Sequence, residues 1–416
     1  MSPSQGDAMD ETTHPRLRND IQAIPITVEG QQLITFTDPL RLSATGFAMD
    51  RRAIPLLAMM DGRNDLRDIQ TGLMRITGGT VVSIAEVQAL VEQLDKAFLL
   101  ESEAFRERKN ALMKEFARWA RREPALAGRS YDADPERLTS FMQTVEQGLA
   151  PLPEHDPTGV TGILAPHIDI AAAQQAYVDV YRRVTGGGHG LAVILGINHH
   201  GGDGLFCLSA KDYVTPLGVL ETDREMVEEL KQDLPEGTLA EYDFDHMMEH
   251  SIEFQTVFLA HYLGTGLKIV PILCGGIHEF LSSGADPFED VRFCAFRDNL
   301  RRIIGESALR TLLVSGVDFS HVGRKFGHGV PAESLLERAR ANDRVIIDHL
   351  LHGRARDIYR HCLATGDQFN VCGIASMVLF SSLVGPCRAE LLHHGTYDEP
   401  ATGSAVTFAS MVFAGS

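Results

Sequence analysis

The chain has 416 residues, of which 44% are hydrophobic and 23% are charged, a globular balance that suits two or three domains. Asp and Glu outnumber Lys and Arg by 56 to 38, and the formal charge of −18 disfavours binding to nucleic acids and anionic membranes. We expect neither a secretory signal nor a membrane helix, since no stretch is apolar over about 18 residues. The six cysteines include no CxxC pair, which favours a reducing, cytoplasmic location.

The N-terminal part of the chain is predicted to form a small domain behind a short tail. Residues 1–20 are polar and charged, and we expect them to be disordered. Residues 21–105 show strand and helix patterns separated by turn-forming residues, and three short helices with a small sheet predict a winged-helix α+β module. The predicted segments are strands at 24–29, 32–36 and 97–100, and helices at 54–60, at 66–76 and after Ser83.

Capping residues mark several of the predicted helix starts. Asn64 is the predicted cap of the second helix, and Ser83 followed by Glu86 has the capping-box pattern. Thr222 followed by Glu225 repeats that pattern in the second half of the chain. These residues predict where three helices begin.

A short motif in this module resembles a known family. Residues 60–69 read MDGRNDLRDI, and together with the helix and strand at 87–99 they resemble the PqqD-like fold, also called the precursor-peptide recognition element. The resemblance implies a peptide-binding domain, and the alternative is a generic helical cap on the larger domain. Residues 106–121, rich in Arg, Lys and Glu, are predicted to be a solvated linker helix.

The second half of the chain, residues 122–416, alternates apolar strand patterns with helix patterns. Near-continuous apolar runs are typical of strands that helices cover on both faces, so we predict an α/β fold with a mixed, largely parallel sheet flanked by helices. The predicted strands lie at 162–166, 191–196, 267–273, 311–316 and 405–412, and the predicted helices at 171–184, 222–234, 249–263 and 333–351.

Imidazoles and a carboxylate follow the ends of three of these strands. His167 follows the first, His199 and His200 follow the second, and Asp318 and His321 follow the fourth. Because ligands bind at the carboxyl ends of strands in open α/β sheets, we expect these side chains to form a site. Side chains alternate in extended chain, so His199 and His200 are not expected to face the same point, and spacing alone does not choose between them.

A cysteine and a group of acidic residues are further candidates. Cys372 precedes an apolar helical stretch, and a helix N-terminus favours the thiolate that binds metals, whereas Cys274, at the end of the third strand, is its rival. Glu249 and Glu253 share a helix face beside His250. They either suit the helix dipole or orient a metal-bound imidazole.

The set of motifs in residues 122–416 resembles the Memo family, of the type called AmmeMemoRadiSam system protein B, and through it the class III extradiol dioxygenases. The matching segments are residues 124–138 (PALAGRSYDADPERL), 165–167 (APH), 195–200 (LGINHH), 249–253 (EHSIE), 315–323 (SGVDFSHVG) and 370–373 (NVCG). They occur in order along nearly the whole of this half of the chain.

The resemblance implies a role for each matching residue. His167, His199 and Cys372 match the metal-site positions, and His321, with Asp318 beside it, matches the histidine that handles protons in the related dioxygenases. The neighbouring candidates, expected to orient the metal-bound imidazoles, are His200, Glu249, His250 and Glu253. This chain departs from the family after His167, where Ile168-Asp169-Ile170 replace the frequent Gly and Tyr, and Asp169 could add a carboxylate.

These residues support three hypotheses for function. The first is an iron- or copper-dependent redox enzyme with an open coordination position for oxygen or substrate; Fe(II) is the expected metal, with Cu or Zn as alternatives. The second is a non-catalytic metal-binding adaptor, and the third a zinc hydrolase acting on peptides. The expected partners are a peptide or a radical-SAM protein, recruited by the N-terminal domain. No phosphate-binding or dinucleotide motif is present.

Overall fold

The chain divides into two compact units, one before and one after the bond between Arg118 and Trp119. This division lies a few residues before the boundary predicted at 122. The computed structural model describes residues 14–38, 40–43, 47–153, 156–199, 201, 203–385 and 387–415.

The described residues of the first unit form three strands followed by four α-helices. Its strands form one antiparallel sheet in the order β1-β2-β3. The first two predicted strands and all three predicted helices are present, whereas the winged-helix assignment stays a prediction. The elements are β1 (Gln22–Val28), β2 (Gln31–Thr37), β3 (Ala48–Asp50), α1 (Ile54–Met59), α2 (Leu66–Ile76), α3 (Ile84–Lys96) and α4 (Glu103–Phe116).

The caps of α2 and α3 show how local polar residues set helix starts. The predicted capping box of Ser83 and Glu86 opens α3. The prediction for α2 was wrong by one residue, because Asp65 caps this helix and Asn64 instead donates to the carbonyl of Met59 at 2.8 Å. A carboxylate competes well for backbone N–H groups at this position, and Asp68 completes a second capping box.

Residues 14–20 are ordered by a buried charge, which corrects this part of the predicted disordered tail; residues 1–13 lie outside the described residues. Arg18 is buried and donates to Asp38 at 2.8 Å and to the carbonyl of Phe98 at 2.7 Å. Leu17 pairs with Leu100 in an isolated bridge. The closing strand predicted at 97–100 is reduced to this bridge, since Phe98 turns the chain with a φ of 54°.

The charged segment predicted as a linker helix is α4, which begins and ends earlier than residues 106–121. It buries Phe105 and Phe116, so it is not solvated on every face.

The part of the second unit that the structure describes contains an eight-stranded mixed sheet. The strand order is β12-β14-β5-β11-β6-β10-β7, with β13 paired to β14. β5, β11, β6 and β10 are parallel, and the outer strands are antiparallel to their neighbours. The strands of this sheet are β5 (Val160–Ala165), β6 (Leu191–Ile197), β7 (Phe206–Leu208), β10 (Lys268–Cys274), β11 (Thr311–Gly316), β12 (His321–Gly323), β13 (Arg388–Glu399) and β14 (Ser404–Ala414).

A small second sheet and nine helices complete the described part of this unit. The small sheet has the order β4-β8-β9, formed by β4 (Arg121–Arg122), β8 (Asp212–Thr215) and β9 (Gly218–Leu220). The helices are α5 (Pro135–Gln147), α6 (Gln174–Arg182), α7 (Arg224–Leu230), α8 (His250–Tyr262), α9 (Ile277–Ser283), α10 (Val291–Glu306), α11 (Leu336–Leu351), α12 (Ala355–Thr365) and α13 (Ile374–Val384).

Helices cover both faces of the large sheet, which explains the continuous apolar strand runs. Leu191, Val193 and Leu195 of β6 pack into one core with α10 to α13, while Ala192 and Ile194 pack into a second core with α5, α6 and α8. A strand that is buried on both faces has no polar face, so its sequence does not alternate between apolar and polar residues. The predicted α/β architecture of this unit is confirmed.

One helix cap in this unit differs from its prediction. Asp223, rather than Thr222, caps α7 by accepting from the backbone N–H of Met226. Thr222 is buried, and its hydroxyl donates to the carbonyl of Lys211 at 2.5 Å.

Among the helices that the structure describes, none combines the length and apolar character needed to cross a membrane.

Candidate metal site

Three adjacent parallel strands deliver polar side chains to one edge of the large sheet. β11 lies between β5 and β6, and all three run in the same direction. His167 follows β5 by two residues, His199 follows β6 by two, and Asp318 follows β11 by two. The site therefore forms where the carboxyl ends of parallel strands meet, as expected for this class of sheet.

Cys372 reaches the same place from the segment that precedes α13. Its Sγ lies 3.7 Å from Nε2 of His167 and 3.7 Å from the carbonyl oxygen of Asp318. A Cβ at Gly373 would lie 2.7 Å from that carbonyl oxygen and 2.8 Å from Cβ of Val317, so only glycine permits this close approach. Candidate ligand atoms of His167, His199 and Cys372 all lie within 4.8 Å of one another.

The cluster is buried on one side and open on the other. His167 is 2% exposed, whereas 33% of the His199 side chain is accessible to solvent. Burial lowers the pKa of His167 well below its usual range, and the neighbouring imidazoles lower it further. A small molecule could therefore reach the cluster from the side of His199.

Glu249 orients His199 from beneath the cluster. Its buried carboxylate lies 3.0 Å from Nδ1 of His199 and accepts from the backbone N–H of His199 at 3.2 Å. Burial alone would raise the pKa of Glu249, but the imidazoles of His199 and His250 lower it well below its usual range. A carboxylate on Nδ1 leaves Nε2 of His199 available to a metal ion, an arrangement common around protein-bound metals.

The approach of Glu249 depends on a glycine in β6. A Cβ at Gly196 would lie 2.5 Å from Oγ of Ser251 and 2.6 Å from Cγ1 of Ile252. Gly196 thus lets the first turn of α8 pack directly against β6, and Glu249 is the cap residue of that helix.

Asp318 lies 3.8 Å from Nε2 of His167, and His321 is close enough to interact electrostatically with His167 and His199. Asp318 accepts from the backbone N–H of His167 at 3.1 Å, and burial raises the pKa of its carboxyl to about 7. Nδ1 of His321 donates to the carbonyl of Phe319 at 3.0 Å, which leaves Nε2 as an acceptor. Burial lowers the pKa of His321 to about 4, so the imidazole is neutral near pH 7.

The expected thiolate at Cys372 requires a correction. Burial raises the pKa of this thiol well above its usual range, and the neighbouring Asp318 raises it further. The dipole of α13 was expected to favour the thiolate, whereas burial without a bound cation favours the neutral thiol. The thiolate therefore depends on a cation binding beside it.

Other predicted site residues lie elsewhere. Glu253 binds the Arg122 guanidinium, accepts from the hydroxyl of Tyr131 at 2.5 Å and caps backbone N–H groups, so its contacts correct the prediction that it orients an imidazole. Asp169 caps a short 3₁₀ turn through the N–H of Ala171 at 3.0 Å. Cys274 is buried in the core, and His200 lies outside the described residues.

Sequence reasoning overlooked the role of Arg122. This buried guanidinium binds Glu253 and donates to the carbonyl oxygens of His246 at 3.1 Å and Glu249 at 2.8 Å. It therefore ties β4 to the residues that precede α8. Its position beside Arg121 in a charged run offered no signal, because only tertiary structure distinguishes a buried arginine from an exposed one.

Comparison with known proteins identifies the family of the unit that carries the candidate metal site. A family model described as "Memo-like protein" matches residues 122–412. The chain belongs to the Memo family. A "MEMO1 family protein" of Aquifex aeolicus is 29% identical over 388 residues, covering 90% of this chain and 94% of its own length.

Two archaeal relatives match mainly the Memo unit. A MEMO1 family protein of Thermococcus kodakarensis is 30% identical over 306 residues, which cover 70% of this chain and 99% of the relative. One of Methanosarcina barkeri is 27% identical over 282 residues, which cover 67% and 93% respectively. The Aquifex match, at 90% of this chain, must extend into the first unit.

The residues of this Memo-family chain fit a metal ion. Two imidazoles and one thiol converge, and one of the imidazoles is oriented by a buried carboxylate. Three protein ligands would leave a coordination position open, which is typical of reactive rather than structural sites.

Proposed function

We propose that this Memo-family protein binds one metal ion through His167, His199 and Cys372 and acts as a metal-dependent redox enzyme, dioxygenase-like in type. The observation that carries the proposal is the convergence of the three candidate ligand atoms within 4.8 Å, from distant parts of the chain. Such a convergence is hard to explain by packing alone, because a buried thiol and imidazole gain little from meeting without a cation.

Fe(II) is the metal we propose first. A site with two imidazoles, one anionic ligand and open positions is typical of non-haem iron, although here a thiolate takes the place of a carboxylate. Thiolate is also a good ligand for Cu(I) and Zn(II), which are therefore the alternatives. When bound, iron or copper would supply a centre that can exchange electrons, whereas Zn(II) would act only as a Lewis acid.

The protein residues around the metal position would bind and move protons. His321 presents an acceptor Nε2, suited to take a proton from a substrate and return it to the product. Asp318 holds the backbone of His167 in place and lies beside Cys372. General acid–base catalysis of this kind typically contributes a factor of about 10² to 10⁴ in rate.

For the first unit we propose a PqqD-like, winged-helix role in recruiting a peptide or a radical-SAM protein, as in an AmmeMemoRadiSam system. The support is the motif at residues 60–69, whose Asp65 and Asp68 form the start of α2. Binding of a candidate peptide to the full chain, measured by isothermal titration, tests this proposal. Equal affinity for the chain lacking residues 1–118 would contradict it.

Metal analysis after anaerobic purification is the first test of the enzymatic proposal. We expect one equivalent of iron, and oxygen consumption with a candidate substrate that stops in His321→Ala while the metal stays bound. Bound metal without turnover would favour the alternative function, a non-catalytic metal-binding adaptor. Zinc with peptide hydrolysis would favour the hydrolase.

A further inference from the structure

A third imidazole lies against the two candidate metal ligands. The ring of His250 is stacked on that of His199 with centroids 4.9 Å apart and an interplanar angle of 17°. The ring of His167 is almost equally distant from both, at 5.1 Å from His199 and 5.3 Å from His250. About a third of the His250 side chain is exposed, as is that of His199, so both line the open side of the cluster.

His250 and His199 share one carboxylate. Nδ1 of His250 lies 3.2 Å from Oε1 of Glu249, and Nδ1 of His199 lies 3.1 Å from the same atom. A carboxylate accepts, so each Nδ1 is the donor and each Nε2 is directed away from Glu249. The two rings are nearly parallel, and both Nδ1 atoms contact the same carboxylate oxygen.

Two groups of candidate ligand atoms lie within 4.8 Å of one another, one formed by His167, His199 and Cys372 and the other by His199, Glu249 and His250. The proposed metal position belongs to the first group, and His250 is a neighbour of that position. A neutral imidazole that donates through Nδ1 has a lone pair on Nε2 and can accept a hydrogen bond.

We infer that Nε2 of His250 recognises a proton-bearing group, such as a hydroxyl, on the small molecule that occupies the open coordination position. His250 would then select hydroxyl-bearing ligands over otherwise identical ligands that lack the hydroxyl. This inference rests on the proposed function, because it requires a metal held by His167, His199 and Cys372.

Two substitutions distinguish the role of Nδ1 of His250 from the role of its Nε2. In His250→Asn the amide nitrogen can replace Nδ1 as donor to Glu249, but nothing replaces Nε2. In His250→Gln the longer side chain places an amide oxygen near the position of Nε2 and gives up the bond to Glu249. A role limited to holding Glu249 would be preserved by Asn and lost with Gln, whereas the inferred role has the opposite pattern.

The experiment uses the full chain loaded anaerobically with Co(II), whose visible spectrum reports both uptake and added ligands. 2-Mercaptoethanol and ethanethiol are titrated in parallel, because both bind a metal through sulfur and only the first carries a hydroxyl. We expect wild type to prefer 2-mercaptoethanol by about 3- to 10-fold, the effect of one neutral hydrogen bond. His250→Asn should lose this preference, and His250→Gln should keep part of it.

Three other outcomes would contradict the inference that Nε2 of His250 contacts the ligand. Equal preference in wild type and His250→Asn would show that Nε2 does not contact the ligand. Loss of Co(II) from His250→Asn would make His250 a metal ligand instead, and failure of wild type to bind either thiol would show that no position is open. If wild type lacks a thiolate–Co(II) band that depends on Cys372, the proposed function itself fails.

Discussion

The carboxylate of Glu249 is buried and charged at once because two imidazoles and three backbone N–H groups surround it. It accepts from the backbone of His199, His250 and Ser251 at 2.8 to 3.2 Å. These bonds fix a negative charge directly behind the imidazoles, where it makes His199 a better donor to a cation. The chemistry of the site therefore depends on a residue that need not touch the metal.

Cys372 is the candidate ligand whose removal should be most informative. We expect Cys372→Ser to weaken metal binding by at least about 100-fold, since orienting residues alone typically cost 10- to 100-fold. Competition with a metal indicator measures the affinity. The matched control is Cys387→Ser, a half-buried cysteine elsewhere in the unit, which should bind normally. Equal affinities for the two variants would contradict the assignment.

Because His246 is buried, we predict that the free energy of unfolding depends on pH. Nδ1 of His246 lies 2.7 Å from the hydroxyl of Tyr213 and Nε2 lies 3.0 Å from the carbonyl of Cys207, and burial lowers the pKa of the imidazole to about 4. The imidazole is protonated near pH 6.5 in the unfolded chain but only near pH 4 in the folded chain. Between these two pH values, protonation favours the unfolded chain. The free energy of unfolding should therefore fall by up to about 3 kcal/mol as the pH drops from 6.5 towards 4.

The measurement is the free energy of unfolding between pH 7.5 and pH 4.5 for wild type and for His246→Gln, which cannot be protonated. The variant should be less stable at neutral pH, because it loses buried hydrogen bonds, yet its stability should fall less steeply with acid. Parallel curves for the two proteins would show that another group accounts for the dependence.

The helix α8 is held at the site from two directions, by β6 on one side and by β4 on the other. Gly196 permits close packing on β6, and Arg122 of β4 binds Glu253 of α8 and the carbonyl of Glu249. Because Glu249 caps α8, the position of the whole helix start decides where its carboxylate lies.

The buried pair of Arg122 and Glu253 should be costly to break. We expect Arg122→Met to reduce the free energy of unfolding by about 3 to 5 kcal/mol, because it leaves the Glu253 carboxylate buried without its partner. Chemical denaturation measures the loss. Arg121→Met, at the exposed neighbouring position of β4, is the matched control and should change stability by less than about 0.5 kcal/mol. Similar losses in both variants would refute the proposed clamp.

A methyl group at Gly196 should push α8 away from β6. We expect Gly196→Ala to cost about 1 to 3 kcal/mol through overpacking and to weaken metal binding by moving Glu249. Gly305→Ala is the opposite case: this glycine lies in α10 with open space around it, so alanine should stabilise the helix by up to about 1 kcal/mol. Thermal unfolding and metal titration of both variants provide the test, and unchanged affinity in Gly196→Ala would contradict the packing argument.

The two units of the chain have separate cores and separate proposed tasks. Described residues of the candidate metal site all belong to the second unit. The Thermococcus relative is matched over 99% of its length by 70% of this chain, so a polypeptide of about this size exists as a whole protein.

Residues 119–416 alone should therefore fold and bind metal. We expect a single cooperative unfolding transition and the same metal stoichiometry as the full chain, because the ligands and Glu249 lie within this unit. Calorimetry and metal analysis of the shortened chain are the measurements. A shortened chain that folds but binds no metal would show that the first unit contributes to the site.

The architecture of the Memo unit, and the edge of the sheet where polar residues gather, could be predicted from the amino-acid sequence alone. β11 has the predicted bounds, and β5, β6 and β10 lie within two residues of theirs, because a strand covered on both faces must be apolar along its length. Parallel neighbours then bring His167, His199 and Asp318 to one edge, whatever else surrounds them.

The hydration, charge partners and ring contacts of these side chains depend on the tertiary structure and could not be predicted. The thiol of Cys372 was expected to ionise at a helix start, yet burial raises its pKa; Glu253 was expected at the imidazoles, yet it binds Arg122; and His250 proved to be stacked on His199. Hydration, charge pairing and ring stacking depend on residues far apart in the chain, and local patterns carry no information about those distances.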